Sequence, residues 1–196
     1  MGCVRLPRNA LRDPLGIRTW PLSGFGRDPE RTPMQWDGSP RAGFTTGTPW
    51  LPVTPAYPVR NVAAQEADAG SLLSFYKRLL ALRRRVPALR SGALEFLWED
   101  PDVLAYRRTP ADPAEGHSPE ARAAARSPAP GADPDLRESG ILVVLNVSGR
   151  GRVFDLPEAG RVLAGTDRGE GTDVPAGPVR LASYEALILE SETRIP

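Results

Sequence analysis

Hydrophobic and polar positions follow different patterns in three parts of the chain. Over residues 1–70, ten prolines and eight glycines interrupt the apolar runs, so no long helix or strand is predicted there. So much irregular chain is unusual for a compact domain on its own. We therefore expect this part to be an irregular surface segment of a larger domain.

The second part is one amphipathic helix. Ser71 is a good N-cap residue and Pro87 ends the pattern, so a helix of about four turns is predicted over 71–86. Arginines near its end favour the helix C-terminus through the helix dipole. Its apolar positions recur at helical spacing and are Leu72, Phe75, Tyr76, Leu79, Leu80, Leu82 and Val86.

The third part consists of short strands separated by Gly, Pro and Asp. The strongest of them, ILVVLNV at 141–147, is typical of a central, buried strand. Their number and spacing predict an antiparallel β-sandwich of six to eight strands. The predicted strands are 93–98, 103–107, 141–147, 152–156, 161–163, 179–181 and 185–189.

A Pro/Ala-rich segment interrupts the strands at 109–139. It contains six prolines and eight alanines and has no bulky apolar residue before Leu136. A segment of this composition cannot bury enough apolar surface to fold. We therefore predict a disordered or extended insertion.

Composition and charge exclude several function classes. Lys and Arg total 25 against 24 acids, a net charge of +1 that gives no footprint for nucleic acid or an anionic membrane. No apolar run approaches the roughly 20 residues that span a bilayer, and no signal-peptide core follows Met1, so the expected location is the cytoplasm. One cysteine, Cys3, provides neither a disulfide framework nor a metal cluster. We expect no cofactor and no metal.

The densest set of recognition groups lies in the irregular first part. The stretch GRDPERTPMQWDG, at 26–38, holds two arginines, several acids, a glutamine and a tryptophan, with two prolines that stiffen it. A loop of this kind usually holds polar groups in fixed positions around a ligand or a site.

This stretch carries a resemblance to a known family. The motif RTPMQWD at 31–37, preceded by RD and followed by RAGFTTG at 41–47, resembles the α-glucosidase branch of the α-amylase superfamily. These are retaining glycoside hydrolases of the maltase and oligo-1,6-glucosidase type. The resemblance continues at 11–16, 61–65 and 71–83 and resumes at 143–148 and 184–189.

The resemblance implies a mixed fold, namely the end of a (β/α)8 barrel followed by an antiparallel β-sandwich. Residues 1–90 correspond to the last active-site loop and the last helix of the barrel, and 91–196 to the sandwich with its 109–139 insertion. Active sites of such barrels lie among the loops that follow the strands. The irregular first part is then an active-site loop.

The family's catalytic carboxylates have no counterpart in this chain. Retaining hydrolysis needs two carboxylates about 5–5.5 Å apart across the scissile bond. Neither the Gly-Phe-Arg-Xaa-Asp signature of the family's nucleophile nor its Asn-His-Asp signature occurs in the 196 residues. We therefore expect a C-terminal portion of the enzyme, inactive alone, with the missing barrel as a same-chain or split partner.

The resemblance assigns substrate-binding roles but no catalytic residue. It implies that Arg31 lines the pocket for an α-linked gluco-oligosaccharide, where a planar guanidinium can donate two hydrogen bonds to sugar hydroxyls. Asp28 is near enough in sequence to orient Arg31 or Arg27. Trp36 could offer a flat apolar face to the ring. The predicted substrate-binding residues are Arg31, Asp28, Trp36 and Arg27.

Each of these residues also has a plainer interpretation. Trp36 is more often a buried packing residue than a stacking platform. Asp28 with Arg27 or Arg31 is equally well explained as a salt bridge within the loop. Asp37 with Gly38 is expected to close a turn.

Two other functions stay open at this point. One is a stand-alone sugar-binding or interaction sandwich, although the predicted strands show no run of exposed aromatic residues. The other is a fragment without function.

Overall fold

The computed structural model describes residues 6–22, 26–97, 100–110, 131–136 and 138–194. The chain forms two compact units, Met1–Lys77 and Arg78–Pro196. This division falls inside the predicted helix, whereas the sequence placed the boundary at 90/91. The physical reason lies in the second unit, where Leu82, Val86 and Ala88 are buried in a cluster with strand residues.

The first unit has little regular structure, as predicted, but it contains two short helices that the sequence did not indicate. Helix α1, Pro14–Thr19, begins after the N-cap Asp13 and has a proline in its first turn. Helix α2, Val62–Ala67, begins after Asn61, whose side-chain oxygen accepts the backbone N–H of Ala64 at 2.8 Å. The described residues of the unit also form three short 3-10 turns: Arg8–Ala10, Asp28–Glu30 and Pro40–Gly43.

Helix α3, Leu72–Arg85, is the predicted amphipathic helix. The hydroxyl of Ser71 accepts the backbone N–H of Ser74 at 3.1 Å, which confirms Ser71 as the N-cap. The apolar stripe is only partly buried. Leu82 is 3% exposed, whereas Leu72, Tyr76 and Leu80 are 67%, 58% and 55% exposed.

The second unit contains two antiparallel sheets and a short helix, α4, Ala88–Ser91. The larger sheet has the order β1-β2-β3-β8-β5-β6, and the smaller pairs β4 with β7. The strands are β1 Ala93–Phe96, β2 Val103–Thr109, β3 Ser139–Asn146, β4 Arg152–Leu156, β5 Gly160–Gly165, β6 Asp173–Val174, β7 Gly177–Leu181 and β8 Ala186–Arg194.

The two sheets share one hydrophobic core. Leu142 and Val144 of β3 point into it, and alternate residues of the neighbouring strands do the same because side chains alternate between the faces of a sheet. Phe154 and Leu181 enter the core from the smaller sheet. The opposite face of β3, with Ile141 and Val143, packs in the cluster that also contains Leu82, Val86 and Ala88. An antiparallel β-sandwich is therefore confirmed, and β3 is its buried central strand.

The predicted insertion lies mostly outside the described residues, which omit 111–130 and 137. Its described ends belong to the fold. Thr109 ends β2, and Ser139 begins β3. Leu136 is 6% exposed, and the backbone N–H of Asp133 donates to the carbonyl of Arg85 at 2.9 Å. The range 109–139 predicted for a disordered or extended insertion therefore includes residues at both ends that belong to the folded sandwich.

Candidate functional site

The arginines and the aspartate of the predicted site lie on one turn of the first unit. Asp28–Glu30 forms a 3-10 turn in which the backbone N–H of Glu30 donates to the carbonyl of Arg27 at 3.2 Å. The N–H of Arg31 donates to the carbonyl of Asp28 at 3.0 Å. The turn therefore places Arg27 at its beginning and Arg31 at its end.

Asp28 is buried beneath this turn, with 1% of its surface exposed. Its Oδ2 accepts the backbone N–H groups of Arg12 at 2.5 Å and of Asp13 at 2.7 Å. The sequence suggested instead a salt bridge with Arg27 or Arg31, and among the described residues Asp28 forms neither. The carboxylate holds a distant backbone segment by accepting the buried N–H of Asp13 and the part-buried N–H of Arg12.

Asp13 makes the reciprocal contact and was missed by the sequence reasoning. Its Oδ2 accepts both the backbone N–H and the Nε–H of Arg27, each at 3.0 Å. Its Oδ1 caps helix α1 by accepting the N–H of Leu15 at 2.9 Å. The Asp-Pro pair at 13–14, a typical helix start, was the signal that could have drawn attention to it.

Hydrogen bonding gives Asp13 the clearest electrostatic signature of the site. The bond from the Arg27 side chain, followed by the backbone N–H groups of Arg27 and Leu15, lowers the pKa of Asp13 from an ordinary 3.8 to about 2. These donors stabilise the charged carboxylate and outweigh the opposing effect of burial. Asp13 is therefore ionised at neutral pH.

Arg27 and Arg31 both present their guanidinium groups to solvent. The side chain of Arg27 is 66% exposed although its Nε–H is held by Asp13. The side chain of Arg31 is exposed and has no hydrogen bond or ion pair with any described residue. Both groups can donate further hydrogen bonds, and a guanidinium donates in a fixed planar geometry.

Trp36 is 50% exposed, so it is not the fully buried packing residue of the plainer interpretation. Its backbone is held on both sides. The N–H donates to the carbonyl of Ala42 at 2.9 Å, and the carbonyl accepts the N–H of Ala63 at 2.9 Å. The ring is thus a partly exposed apolar surface on a fixed backbone. No hydrogen bond in the described part of the chain joins Trp36 to Arg27 or Arg31.

The residues around Trp36 fix the same backbone. The side chain of Gln35 donates to the hydroxyl of Thr54, which is 3% exposed, and the carbonyl of Gln35 accepts the N–H of Val62 at 3.0 Å. Asn61 caps α2 and also donates through Nδ2 to the carbonyl of Tyr57 at 2.8 Å. The motif is therefore an irregular segment held by polar side chains rather than by a regular ladder.

The motif ends in a turn at Asp37 and Gly38, as predicted, and strained residues follow it at 41–43. Oδ1 of Asp37 accepts the N–H of Ser39 at 2.8 Å and its hydroxyl at 2.5 Å, and these bonds lower the pKa of the carboxyl. Arg41, Ala42 and Gly43 follow with φ of 61°, 57° and 63°, in the left-handed region. Two non-glycine residues there cost backbone energy, a feature that clusters at functional sites.

A concave surface in the second unit is a separate feature. It has a volume of about 520 Å³ and is lined in part by Arg152, Arg168 and Glu185. Arg168 forms an ion pair with Glu185 at 3.1 Å, and Arg152 pairs with Asp102. Because these charges are paired with each other, we do not assign the substrate-binding site predicted at 27–37 to this surface.

The described residues lack two further features. No group of three or more His, Cys, Asp or Glu side chains among them could hold a metal ion. Within the same residues, no helix is both long and apolar enough to cross a membrane.

The comparison with protein families matches residues 2–92 to the alpha-amylase catalytic domain. A probable alpha-glucosidase of Rhizobium meliloti (strain 1021) is 44% identical over 99 residues, which are 50% of this chain and 18% of that protein. An oligo-1,6-glucosidase of Bacillus cereus is 31% identical over 169 residues, which are 84% of this chain and 26% of that protein.

Solved structures extend the likeness to the fold. The trehalulose synthase MutB from Pseudomonas mesoacidophila MX-45 matches with a TM-score of 0.63 and 30% identity, covering 85% of this chain and 26% of that one. The isomaltulose synthase PalI from Klebsiella sp. LX3 matches with a TM-score of 0.63 and 28% identity over the same shares. The chain thus spans about a quarter or less of the length of these relatives. Together the matches place it among the relatives of the α-glucosidases in the α-amylase superfamily.

Proposed function

We propose that this chain is the C-terminal portion of a retaining α-glucosidase that hydrolyses α-glucosidic bonds in oligosaccharides. In this proposal the first unit supplies a sugar-pocket loop, and the second supplies the C-terminal sandwich. The barrel with the catalytic carboxylates is contributed by the same longer chain or by a split partner. The related α-glucosidases and oligo-1,6-glucosidases, which act on substrates of this class, support the proposal.

One observation carries the proposal. The guanidinium of Arg31 is exposed and unpaired within the described residues, yet it stands on a turn whose buried acid, Asp28, is fixed by two backbone hydrogen bonds. Because the backbone of Arg31 is already held by the turn, binding has to order only its side chain, whose donors are not taken up by another described residue. Two adjacent sugar hydroxyls match the paired donors of a guanidinium.

The neighbouring residues take supporting roles in this proposal. Arg27 supplies a second donor, and the half-exposed ring of Trp36 supplies an apolar face for the C–H side of a pyranose. Asp28 has its Oδ2 occupied by backbone groups, so we propose that it positions the turn. In this assignment it does not touch the sugar.

The proposal leaves the bond-breaking chemistry to other residues. Retaining hydrolysis needs an acid and a nucleophile facing each other across the glycosidic bond, and the family's signatures for such residues do not occur in this sequence. Binding energy from Arg31 contributes to catalysis only by orienting the sugar against those carboxylates.

A chimera tests the role of Arg31. Residues 2–92 of this chain, which match the alpha-amylase catalytic domain, replace their counterpart in the Rhizobium meliloti relative, and hydrolysis of p-nitrophenyl α-glucoside is measured. We expect Arg31→Ala to lower kcat/KM by about 100-fold, the scale of a lost charged hydrogen bond to a substrate. Arg60→Ala is the matched control, since Arg60 is also an exposed arginine of the first unit whose side chain has no partner in the described chain.

The two variants separate a local role from a general effect of charge. Wild-type activity in Arg60→Ala together with a strong loss in Arg31→Ala supports the proposal. An active chimera whose kcat/KM is the same with and without Arg31→Ala would overturn it.

A further inference from the structure

We propose that Asp13 is a positioning residue that aims the guanidinium of Arg27 at the sugar. This inference rests on the proposed function, because it assigns to Arg27 a neutral polyhydroxylated ligand in that same site. It goes further by naming a residue outside the RTPMQWD segment that sets the direction of the donor.

Asp13 contacts both the backbone and the side chain of Arg27. Oδ2 of Asp13 lies 3.0 Å from the Nε of Arg27 and 3.0 Å from its backbone nitrogen. One carboxylate oxygen thus holds both the origin of the side chain and the first nitrogen of its planar head. A guanidinium held at Nε has its plane fixed, and its two terminal amino groups remain free to donate.

Asp13 is itself held on both sides by hydrogen bonds. Its Oδ1 caps helix α1 through the N–H of Leu15, and its own N–H donates to buried Asp28 at 2.7 Å. The segments at 12–13 and 27–28 therefore exchange hydrogen bonds in both directions. We call this arrangement the aspartate exchange, formed by Asp13 and Asp28 with the backbone of Arg12, Asp13 and Arg27.

A close backbone contact between Gly26 and Gly16 fixes the distance between the two segments. A Cβ added to Gly26, which has φ of +121°, would lie 2.8 Å from the Cα of Gly16 in α1. A side chain at 26 would push the segments at 12–13 and 27–28 apart and lengthen the hydrogen bonds between them. The glycines thus let the chain bring Arg27 within reach of Asp13.

Asp13 and Arg27 differ strongly in their exposure to solvent. Asp13 is buried, with 4% of its side chain exposed, whereas 66% of the Arg27 side chain is exposed. A surface ion pair formed only for stability adds little free energy. Here the buried acid leaves the outer edge of the guanidinium open, which is the arrangement expected of an oriented donor.

Nuclear magnetic resonance on the full 196-residue chain tests the positioning. We expect the Arg27 Nε–H to exchange slowly with water, and Asp13→Asn to accelerate this exchange at least tenfold, because the amide cannot cap α1 and accept from Arg27 equally well. Glu30→Gln is the control, since Glu30 is an exposed acid of the same turn whose side chain has no partner in the described chain. Equal exchange rates in the wild type and Asp13→Asn would overturn the inference.

The chimera described above tests the link to the sugar. Asp13→Asn and Arg27→Lys should each raise KM about tenfold and change kcat less than twofold, whereas a general loss of fold would lower the active fraction and leave KM unchanged. If Arg31→Ala impairs the chimera and Asp13→Asn leaves KM unchanged, the inference alone fails. If Arg31→Ala also has no effect, the proposed function fails.

Discussion

The buried carboxylate of Asp28 accepts the backbone N–H of Asp13 at 2.7 Å, across fifteen positions of the sequence. In return, the carboxylate of Asp13 accepts the backbone N–H of Arg27, the residue before Asp28, at 3.0 Å. Each carboxylate therefore accepts a backbone N–H from the segment that contains the other acid. In a unit with few regular elements, this exchange replaces a sheet ladder as the means of holding two segments together.

Removal of the Asp28 carboxylate should destabilise the first unit. Asp28→Ala leaves the N–H groups of Arg12 and Asp13 without their acceptor, which should cost about 2–4 kcal/mol of unfolding free energy. Hydrogen exchange at amides 12 and 13 during a urea titration measures the loss. Glu30→Ala, on the same turn, should change the free energy by less than about 0.5 kcal/mol. Unchanged protection at amides 12 and 13 in Asp28→Ala would contradict this role.

Acid should weaken the same unit through Asp13. The pKa of Asp13 is lowered to about 2 in the folded chain, below the ordinary 3.8 expected after unfolding. The unfolded chain therefore binds the proton more readily, so the stabilisation is present at pH values above the ordinary pKa of 3.8 and is lost as pH falls from there through about 2. A carboxyl titration by nuclear magnetic resonance should give the low pKa, and Asp13→Asn should flatten the stability profile over this interval. A titration midpoint near 3.8 would contradict the prediction.

The strained turn after the motif should reject a side chain at Gly43. A Cβ there would lie 2.6 Å from Oδ2 of Asp37, and φ is +63°. Gly43→Ala should therefore displace Asp37 from Ser39 and cost about 2 kcal/mol or more. Gly131→Ala is the matched control, because its φ is +80° and an added Cβ would meet no atom of the described residues within 4 Å, its chain neighbours aside. Equal losses in the two variants, measured by thermal unfolding, would show that the contact with Asp37 has no effect.

The sandwich core should respond strongly to truncation on β3. Leu142 is 0% exposed and packs between the two sheets, so Leu142→Ala should cost about 3–5 kcal/mol. Val153→Ala, at a position that is 60% exposed, should cost less than about 1 kcal/mol. Denaturant unfolding followed by circular dichroism compares the two. A small loss at Leu142 would mean that the sheets do not form the core described above.

The sequence was most informative where one periodicity governed a segment. The helical pattern predicted α3 with its cap Ser71, and the apolar runs predicted seven of the eight strands. The pattern failed at β6, because Asp173–Val174 is too short to show alternation. It also failed at Leu136, because a single buried leucine after a Pro/Ala-rich segment gives no periodic signal.

The site was predictable only in part, for a different reason. The motif and its resemblance indicated Arg31, Arg27 and Trp36, which the structure shows to be exposed to different degrees. The partners of Asp28 could not be read from the sequence, because Arg12 and Asp13 are far from it along the chain. Acids next to arginines suggest local salt bridges, whereas the structure uses Asp28 to satisfy backbone donors.

We propose that this chain supplies a sugar-pocket loop and that the catalytic carboxylates belong to a barrel outside it. Hydrolysis of p-nitrophenyl α-glucoside by the purified 196-residue chain, measured beside the chimera, tests this proposal. We expect activity in the chimera and a rate equal to the protein-free blank for the chain alone. Turnover by the chain alone would contradict the account, and the acids between 27 and 37 would then have to perform the chemistry themselves.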